Sequence, residues 1–331
     1  MSDFPLLSDI RATHQTLVGL LRQTPCVEFE PGELASDPGF DSSLIFKLEL
    51  FQVTGTFKAR GVLAVMLSLS SEERARGVTA VSAGNHAIAV AYAARQLGIS
   101  ARIVMIKTAN PARVELVKSY GAQLEMAEDG PSAFRRVAEI EAQEGRVFVH
   151  PFEGPRTVLG TGTLGLEFVE QAHSLDAVVV AVGGGGLIAG VAAAIKQLSP
   201  QTKIVGVEPT GADVMTRSLA AGQPLTLPPT GTIADSLAPP MTTPYTFGVC
   251  QRFVDRMVLI DDAAMRATMG VLFRDLKLAV EPAGAAALAA VLGPLRPELS
   301  GGQRIGVVVC GANIDVATYR CLMNQETIRA A

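Results

Sequence analysis

The chain has 331 residues, 48% of them apolar and 18% charged, with a formal net charge of -4. That content supports a substantial core in one large or two ordinary domains, and the lack of any block of basic residues excludes an electrostatic footprint for nucleic acid or an anionic membrane. Cys26, Cys250, Cys310 and Cys321 are scattered without a C-x-x-C pair, and no basic stretch runs into an apolar one at the N-terminus, which predicts reduced thiols and a cytoplasmic protein.

In chain order, a helix is expected over 7–21, then irregular chain around Pro25 and Pro31. The apolar run from Ser43 to Lys47 reads as a strand, and Lys58 begins a helix whose apolar positions Val62, Leu63, Val65, Met66 and Leu69 keep helical spacing. Ser70 to Glu73 supplies a cap for a further short helix. Strand and helix units follow: a strand at Val78 to Val81, a turn from Ser82 to His86, an alanine-rich helix ending at Gly98, and a strand from Arg102 to Ile106. Asn110 and Pro111 then open a helix as cap and first residue. A strand at Leu124 to Met126, a helix to Glu144 and a strand at Val147 to Val149 complete a compact unit.

A second series begins with a helix over 156–173. The charge-free segment Ala177 to Ile195 is about long enough to span a bilayer, but it contains Gly183 to Gly186, and each glycine costs roughly 1 kcal/mol in a helix interior. Strand, glycine turn and helix is therefore the expected parse. Another strand ends at Glu208, and the run from Gln223 to Tyr245, with six prolines, is expected to be a loop that lines a site. Helices capped by Asp261 and opened by Glu281 and Pro282 precede a last buried strand, Ile305 to Val309. Apolar strands alternating with helices predict an α/β fold of open, mostly parallel sheets flanked by helices.

Three strand-end turns carry unusual residues, and such turns are where parallel sheets bind ligands. Gly183, Gly184, Gly185 and Gly186 allow backbone N–H groups to wrap a phosphate, although a plain flexible turn has the same composition. Ser82, Ala83, Gly84, Asn85 and His86 could bind a carboxylate, although Asn and Gly are also ordinary turn residues. Cys310 ends the last strand before Gly311 and Asn313, where a cysteine is more often a small hydrophobe. Lys58, beside Phe57, could hold an amine against a flat cofactor, whereas a single helix lysine is ordinarily a solvated charge.

Taken together, Lys47 to Gln52, Gly55 to Gly61, Ser82 to Ala87, Gly183 to Leu187 and Cys310 to Asn313 resemble, in order, the fold type II pyridoxal-phosphate enzymes of the serine/threonine dehydratase and serine racemase group. The resemblance runs from about Arg11 to Tyr319. It implies a tryptophan synthase β-like architecture with two domains, a large one formed by 1–74 and 150–331 and a small mobile one formed by 75–149. It also implies pyridoxal 5'-phosphate as cofactor, carried by Lys58, the catalytic base. Phe57 would pack near the ring, Gly183 to Gly186 with Leu187 would hold the phosphate, Asn85 would bond the ring hydroxyl and Cys310 would face the pyridine nitrogen. Ser82, Ala83, Gly84, Asn85 and His86 would receive the substrate carboxylate.

The activity so implied is dehydration and deamination of a 3-hydroxy amino acid, with L-threonine and L-serine first and 3-hydroxyaspartate or phenylserine as alternatives. β-Replacement and a non-catalytic ligand-binding protein are weaker readings. Ala83 stands where racemases carry a second serine, so poor racemisation is expected. The family's cation site maps onto Glu208, Ala212 and Val214; valine offers no oxygen, so no metal is expected and Glu208 reads as a solvated strand-end acid. A homodimer, with an amino acid as its small-molecule partner and no isoleucine feedback, completes the expectations.

Overall fold

The computed structural model describes residues 4–227 and 231–324. Helix α1 (Leu7–Leu17) stops four residues earlier than expected, because Val18 leaves helical geometry and Gly19 takes a left-handed φ of 83°. The segment between the two prolines is not irregular: it forms strand β1 (Cys26–Phe29), antiparallel to β2 (Ser43–Lys47) with Cys26 opposite Lys47. Proline is tolerated there because β1 is an edge strand. Two single turns lead into α2 (Lys58–Leu67), and α3 (Ser71–Arg76) opens on the expected capping box, Ser70 and Glu73 exchanging side-chain bonds.

Next come β3 (Val78–Val81), α4 (Asn85–Leu97), β4 (Ala101–Ile106) and α5 (Pro111–Ser119), whose cap Asn110 accepts from the Ala112 amide. β5 (Gln123–Ala127), α6 (Gly130–Glu144) and β6 (Val147–Phe148) follow. The second series is α7 (Pro155–Ala172), β7 (Ala177–Ala181), α8 (Gly186–Leu198), β8 (Lys203–Pro209) and α9 (Val214–Ala221). The proline-rich run holds one short turn, Asp235–Leu237, and residues 228–230 of it lie outside the described residues. It ends earlier than expected at α10 (Pro244–Phe253), since Pro244 suits the first helical position and the Glu153 carboxylate accepts the Tyr245 and Thr246 amides at 2.9 and 3.1 Å. Then come β9 (Arg256–Ile260), α11 (Asp262–Asp275), α12 (Pro282–Leu292), α13 (Arg296–Leu299), β10 (Arg304–Val308) and α14 (Val316–Met323).

The strands form two sheets. A six-stranded sheet runs β1-β2-β10-β7-β8-β9, parallel except for β1, and a parallel four-stranded sheet runs β5-β4-β3-β6. In the larger sheet β7 is buried along its whole length, packed against the alanine-rich α12; α8, which follows it, is buried from Gly186 to Ile195. Leu17, Leu63 and Met66 join α4 and β3 in a second core around the smaller sheet. Helix α2 thus belongs to both units, because its other side lies on α7. The two helices approach closely: a Cβ on Gly160 would fall 2.4 Å from the Arg60 carbonyl oxygen. Among the described residues, no helix is long and apolar enough to cross a membrane.

Candidate active site

Three strand ends meet where the sequence expects a site. The turn before Lys58 is strained, with Thr54 and Gly55 both left-handed at φ 71° and 72°. It is held by the segment after β10: the Phe57 amide donates to the Cys310 carbonyl at 3.2 Å, the Ala312 amide to the Gly55 carbonyl at 3.0 Å, and Asn313 Nδ2 to the Thr54 carbonyl at 2.8 Å. A side chain at Gly55 would strike Asn313 Oδ1 at 2.5 Å. This zipper fixes the start of α2 beside Cys310.

Lys58 Nζ donates to the Pro151 carbonyl at 2.6 Å and lies 5.2 Å from the centre of the Phe57 ring. Burial pulls its amine down to about 8, opposed by Cys310 and Glu281. Burial pushes the Cys310 thiol well above its ordinary range, so it is neutral. Its Sγ donates to the Ala283 carbonyl at 3.4 Å.

The glycine turn joins β7 to α8. A Cβ on Gly184 would fall 2.3 Å from the Phe152 ring, one on Gly186 would fall 2.7 Å from the Phe152 carbonyl oxygen, and Gly185 has φ 86°. The turn therefore admits no side chain at these positions, and the first N–H groups of α8, which have no carbonyl one turn back, form a ready seat for an anion.

Asn85 opens α4 and is gripped on both sides, donating to Glu281 Oε1 at 2.7 Å and accepting from Asn313 Nδ2 at 2.7 Å. Glu281 is buried, and desolvation pushes its carboxyl up to about 7 against the pull of Arg113. Arg113 reaches across from α5: it donates to Asp235 at 2.5 Å, to Glu281 at 3.4 Å and to the Asn313 carbonyl at 3.1 Å.

A cavity opens between these elements, lined by every residue expected to hold a cofactor: Phe57, Lys58, Asn85, Gly183, Gly184, Gly185, Gly186, Leu187 and Cys310. Glu281, Phe152, Ser236, Leu237 and Ala283 also line it. Ser236 and Leu237 come from the proline-rich run, which the sequence reading expected at a site. Glu281 was visible only as the residue before Pro282. Its signal was that glutamate is not among the preferred N-cap residues, and its side chain makes no cap bond.

The residues expected to receive a substrate carboxylate are not all on that cavity. Asn85 lines it, whereas Ser82, Ala83 and Gly84 lie beside it. Ser82 Oγ accepts from the Gly84 amide at 3.1 Å, Ala83 packs on the smaller core, and a Cβ on Gly84 would meet Arg113 at 2.9 Å. His86 is buried, with Nε2 2.7 Å from the Val149 carbonyl, and lines a separate small cavity.

Burial lowers His86 to about 3 and His150 to about 4. A histidine whose folded pKa lies below its unfolded value near 6.5 contributes stability that is complete above pH ~6.5 and is lost as pH falls toward the folded value. The cofactor-free protein should lose on the order of 4 kcal/mol through His86 between those limits, and a thermal-melt series against pH should show His86→Gln losing less.

One expectation is corrected. Glu208 is not a solvated acid: it is buried, accepts from the Met215 and Thr216 amides at 2.8 Å each and from Thr216 Oγ1 at 2.6 Å, and so anchors the start of α9. Burial pushes it up to about 7.

Residues 18–311 match the family model described as pyridoxal-phosphate dependent enzyme. The chain is 53% identical over 315 residues to a phenylserine dehydratase of Ralstonia pickettii, covering 95% of each. It is 35% identical over 325 residues to an L-threonine ammonia-lyase of Thermotoga maritima, covering 98% of this chain and 79% of the relative. The fold overlays maize serine racemase with a TM-score of 0.89 at 35% identity, covering 97% of this chain and 99% of the other. With a lysine amine, an anion seat and a neutral thiol on one cavity, and these likenesses along nearly its whole length, the chain belongs to the pyridoxal-phosphate dependent enzymes.

Proposed function

We propose that the chain dehydrates and deaminates a 3-hydroxy amino acid with an uncharged β-substituent, giving a 2-oxo acid and ammonia, with phenylserine as the first substrate class and L-threonine and L-serine next. The observation that carries this is a Lys58 amine that opens on the same cavity as the glycine-rich start of α8 and Cys310. From the sequence, threonine and serine were expected first; the 53% identity to a phenylserine dehydratase supports placing phenylserine ahead of them.

The residues fit pyridoxal phosphate. Gly183 to Gly186 and Leu187 would hold its phosphate, Lys58 its aldehyde carbon, Asn85 the ring hydroxyl and Cys310 the ring nitrogen. When bound, the cofactor draws electrons from the substrate Cα and acidifies its hydrogen. The Lys58 amine, brought to about 8 by burial, keeps a sizeable free-base fraction near neutral pH and takes that proton. The neutral Cys310 thiol withholds the full positive charge that an aspartate would maintain on the ring nitrogen, which favours prompt loss of the β-hydroxyl. Ala83 supplies no acid or base on the opposite face, so Lys58 works alone at Cα and racemisation is minor.

The β-substituent is read by composition. Of the lining residues not assigned to the cofactor, Phe152, Leu237 and Ala283 are apolar, and the acid on the same wall is Glu281. Arg113 is already committed to Asp235 and Glu281. A second substrate carboxylate would meet an acid without a free cation, which disfavours 3-hydroxyaspartate. The reading includes residues 75–149 as a mobile unit and a cytoplasmic homodimer, supported by free cysteines and by exposed Phe273 and Val316.

Phenylserine, threonine, serine and 3-hydroxyaspartate should be compared by 2-oxo acid release and chiral analysis. The first two should be turned over with little enantiomer formed, and 3-hydroxyaspartate should show kcat/KM about tenfold or more lower. Preferred turnover of 3-hydroxyaspartate, or no 2-oxo acid from any of them, would contradict the proposal.

A further inference from the structure

Beside Lys58 lies a second, smaller cavity with room for about one water, which shares Phe57, Lys58 and Gly186 with the main one. Lys58, Pro151, His86, His150, Thr157 and Thr161 line it. The tautomer of His86 follows from its partner: a carbonyl only accepts, so the Nε2 that meets the Val149 carbonyl at 2.7 Å carries the hydrogen. In the neutral ring Nδ1 is then a bare acceptor, and it is buried with no protein partner. An unpaired buried acceptor costs on the order of 1–3 kcal/mol, so a donor is called for at this point. His150 is pinned otherwise: its Nδ1 accepts the Phe152 and Glu153 amides at 3.3 and 2.9 Å.

We propose that this cavity is a binding site for a single structural water that accepts an N–H from the free Lys58 amine and donates to His86 Nδ1, which makes His86 a positioning residue for the lysine. A neutral amine has two N–H bonds and one lone pair. The Pro151 carbonyl takes one N–H at 2.6 Å and the water takes the second. The lone pair is thereby turned to the remaining side, the main cavity, which Lys58 also lines. His86 thus acts through the lysine, not as part of the substrate seat.

The charged and titratable groups facing Lys58 are Glu281 and Cys310 on the main cavity and His86 and His150 on the small one, with Glu153 beyond His150. Both imidazoles are held neutral by burial, so His86 contributes an acceptor and no charge. Through the water, that acceptor favours the ammonium form of Lys58 over the amine.

The inference rests on Lys58 being the reactive amine of the proposed function, and it is tested without turnover. Cofactor-free protein is labelled with formaldehyde and cyanoborohydride across a pH series, and methylation of the Lys58 peptide is quantified by mass spectrometry. His86→Phe, which fills the cavity and removes the acceptor, should lower the labelling midpoint by about one pH unit, roughly a tenfold gain in reactive amine below both midpoints. His86→Gln, with an amide to meet both Val149 and the water, should stay near the parent midpoint. An unchanged or raised midpoint in folded His86→Phe, or a shift in His86→Gln as large as in His86→Phe, would overturn the inference. Loss of the proposed elimination with the midpoint shift intact would instead count against the functional reading alone.

Discussion

Lys58→Ala should lower 2-oxo acid formation by at least about 10³-fold and remove the long-wavelength absorbance of lysine-bound pyridoxal, while leaving the fold in place. The loss is large because the proposed function asks one group both to carry the cofactor and to move the Cα proton. The fold should survive because Lys58 is at the first position of α2 and its amine donates a hydrogen bond to the Pro151 carbonyl, which water can replace. Removing a partly buried amine also relieves the burial that lowers it to about 8. Circular dichroism, absorbance and single-turnover assays on the purified variant check the three parts. Substantial activity with the absorbance retained would mean that another lysine carries the cofactor.

Arg60→Met should have the opposite profile, a large loss of stability that begins two residues from the reactive lysine. Arg60 is fully buried, and all five of its N–H donors are used. They meet both oxygens of Glu49 and both oxygens of Glu167 at 2.8 Å each, and Thr163 Oγ1 at 3.0 Å. Lys47, also buried, donates to Glu167 at 3.0 Å and to the Thr24 carbonyl at 2.8 Å. The cluster ties α2 to α7, to β2 and to the turn at Glu49.

Methionine at this position would leave the buried Glu167 carboxylate to Lys47 and the buried Glu49 carboxylate to the uncharged Thr24 hydroxyl. Breaking such a pair costs about 3–5 kcal/mol, on the order of 10 °C in melting temperature for a chain of this size. Lysine at the same position keeps the charge but not the fork, so Arg60→Lys should recover only part of the loss. The sign with pH is also fixed. Arg60 and Lys47 hold the Glu167 carboxyl below its ordinary range, so its contribution is complete above the unfolded pKa and is lost as pH falls through the folded one. In the variant that depression is weaker, and the stability gap from the parent should narrow as pH falls toward 4. Thermal melts of both proteins from pH 8 to 4 check this.

The parts of the site legible in the sequence are those carried by residues odd for their place. Four glycines at a strand end, an Asn and His opening an alanine-rich helix, and a cysteine ending a buried strand each have an ordinary structural reading alone, and point to a ligand through their order along the chain. The illegible parts depend on long-range approach. Asn85 meets Glu281 from 196 residues away, and Arg113 meets Asp235 from 122 away, so neither pairing leaves a local trace. Arg60 and Lys47 stood inside a recognised motif, yet their burial became visible only with Glu167 beside them. Glu208 was misread because a strand-end acid looks solvated until the start of α9 folds over it.

The fold follows the same division. Continuous apolar strands such as β7 and sharply capped helices such as α3 and α5 were readable. The edge strand β1, which is only four residues long, and the helix α10, capped by Glu153 from a distant segment, were not. Helix α2 also resists assignment to either domain from sequence, because it contributes to the smaller sheet's core and lies against α7.

The central claim is that Lys58, on the cavity with the glycine turn and Cys310, carries the cofactor. Borohydride reduction of the purified holoenzyme fixes pyridoxal phosphate to the lysine that holds it, and peptide mass spectrometry locates the added mass. The account predicts the phosphopyridoxyl group on Lys58 at close to one per chain. Its appearance on another lysine, or a chain that takes up none under saturating pyridoxal phosphate, would contradict the account.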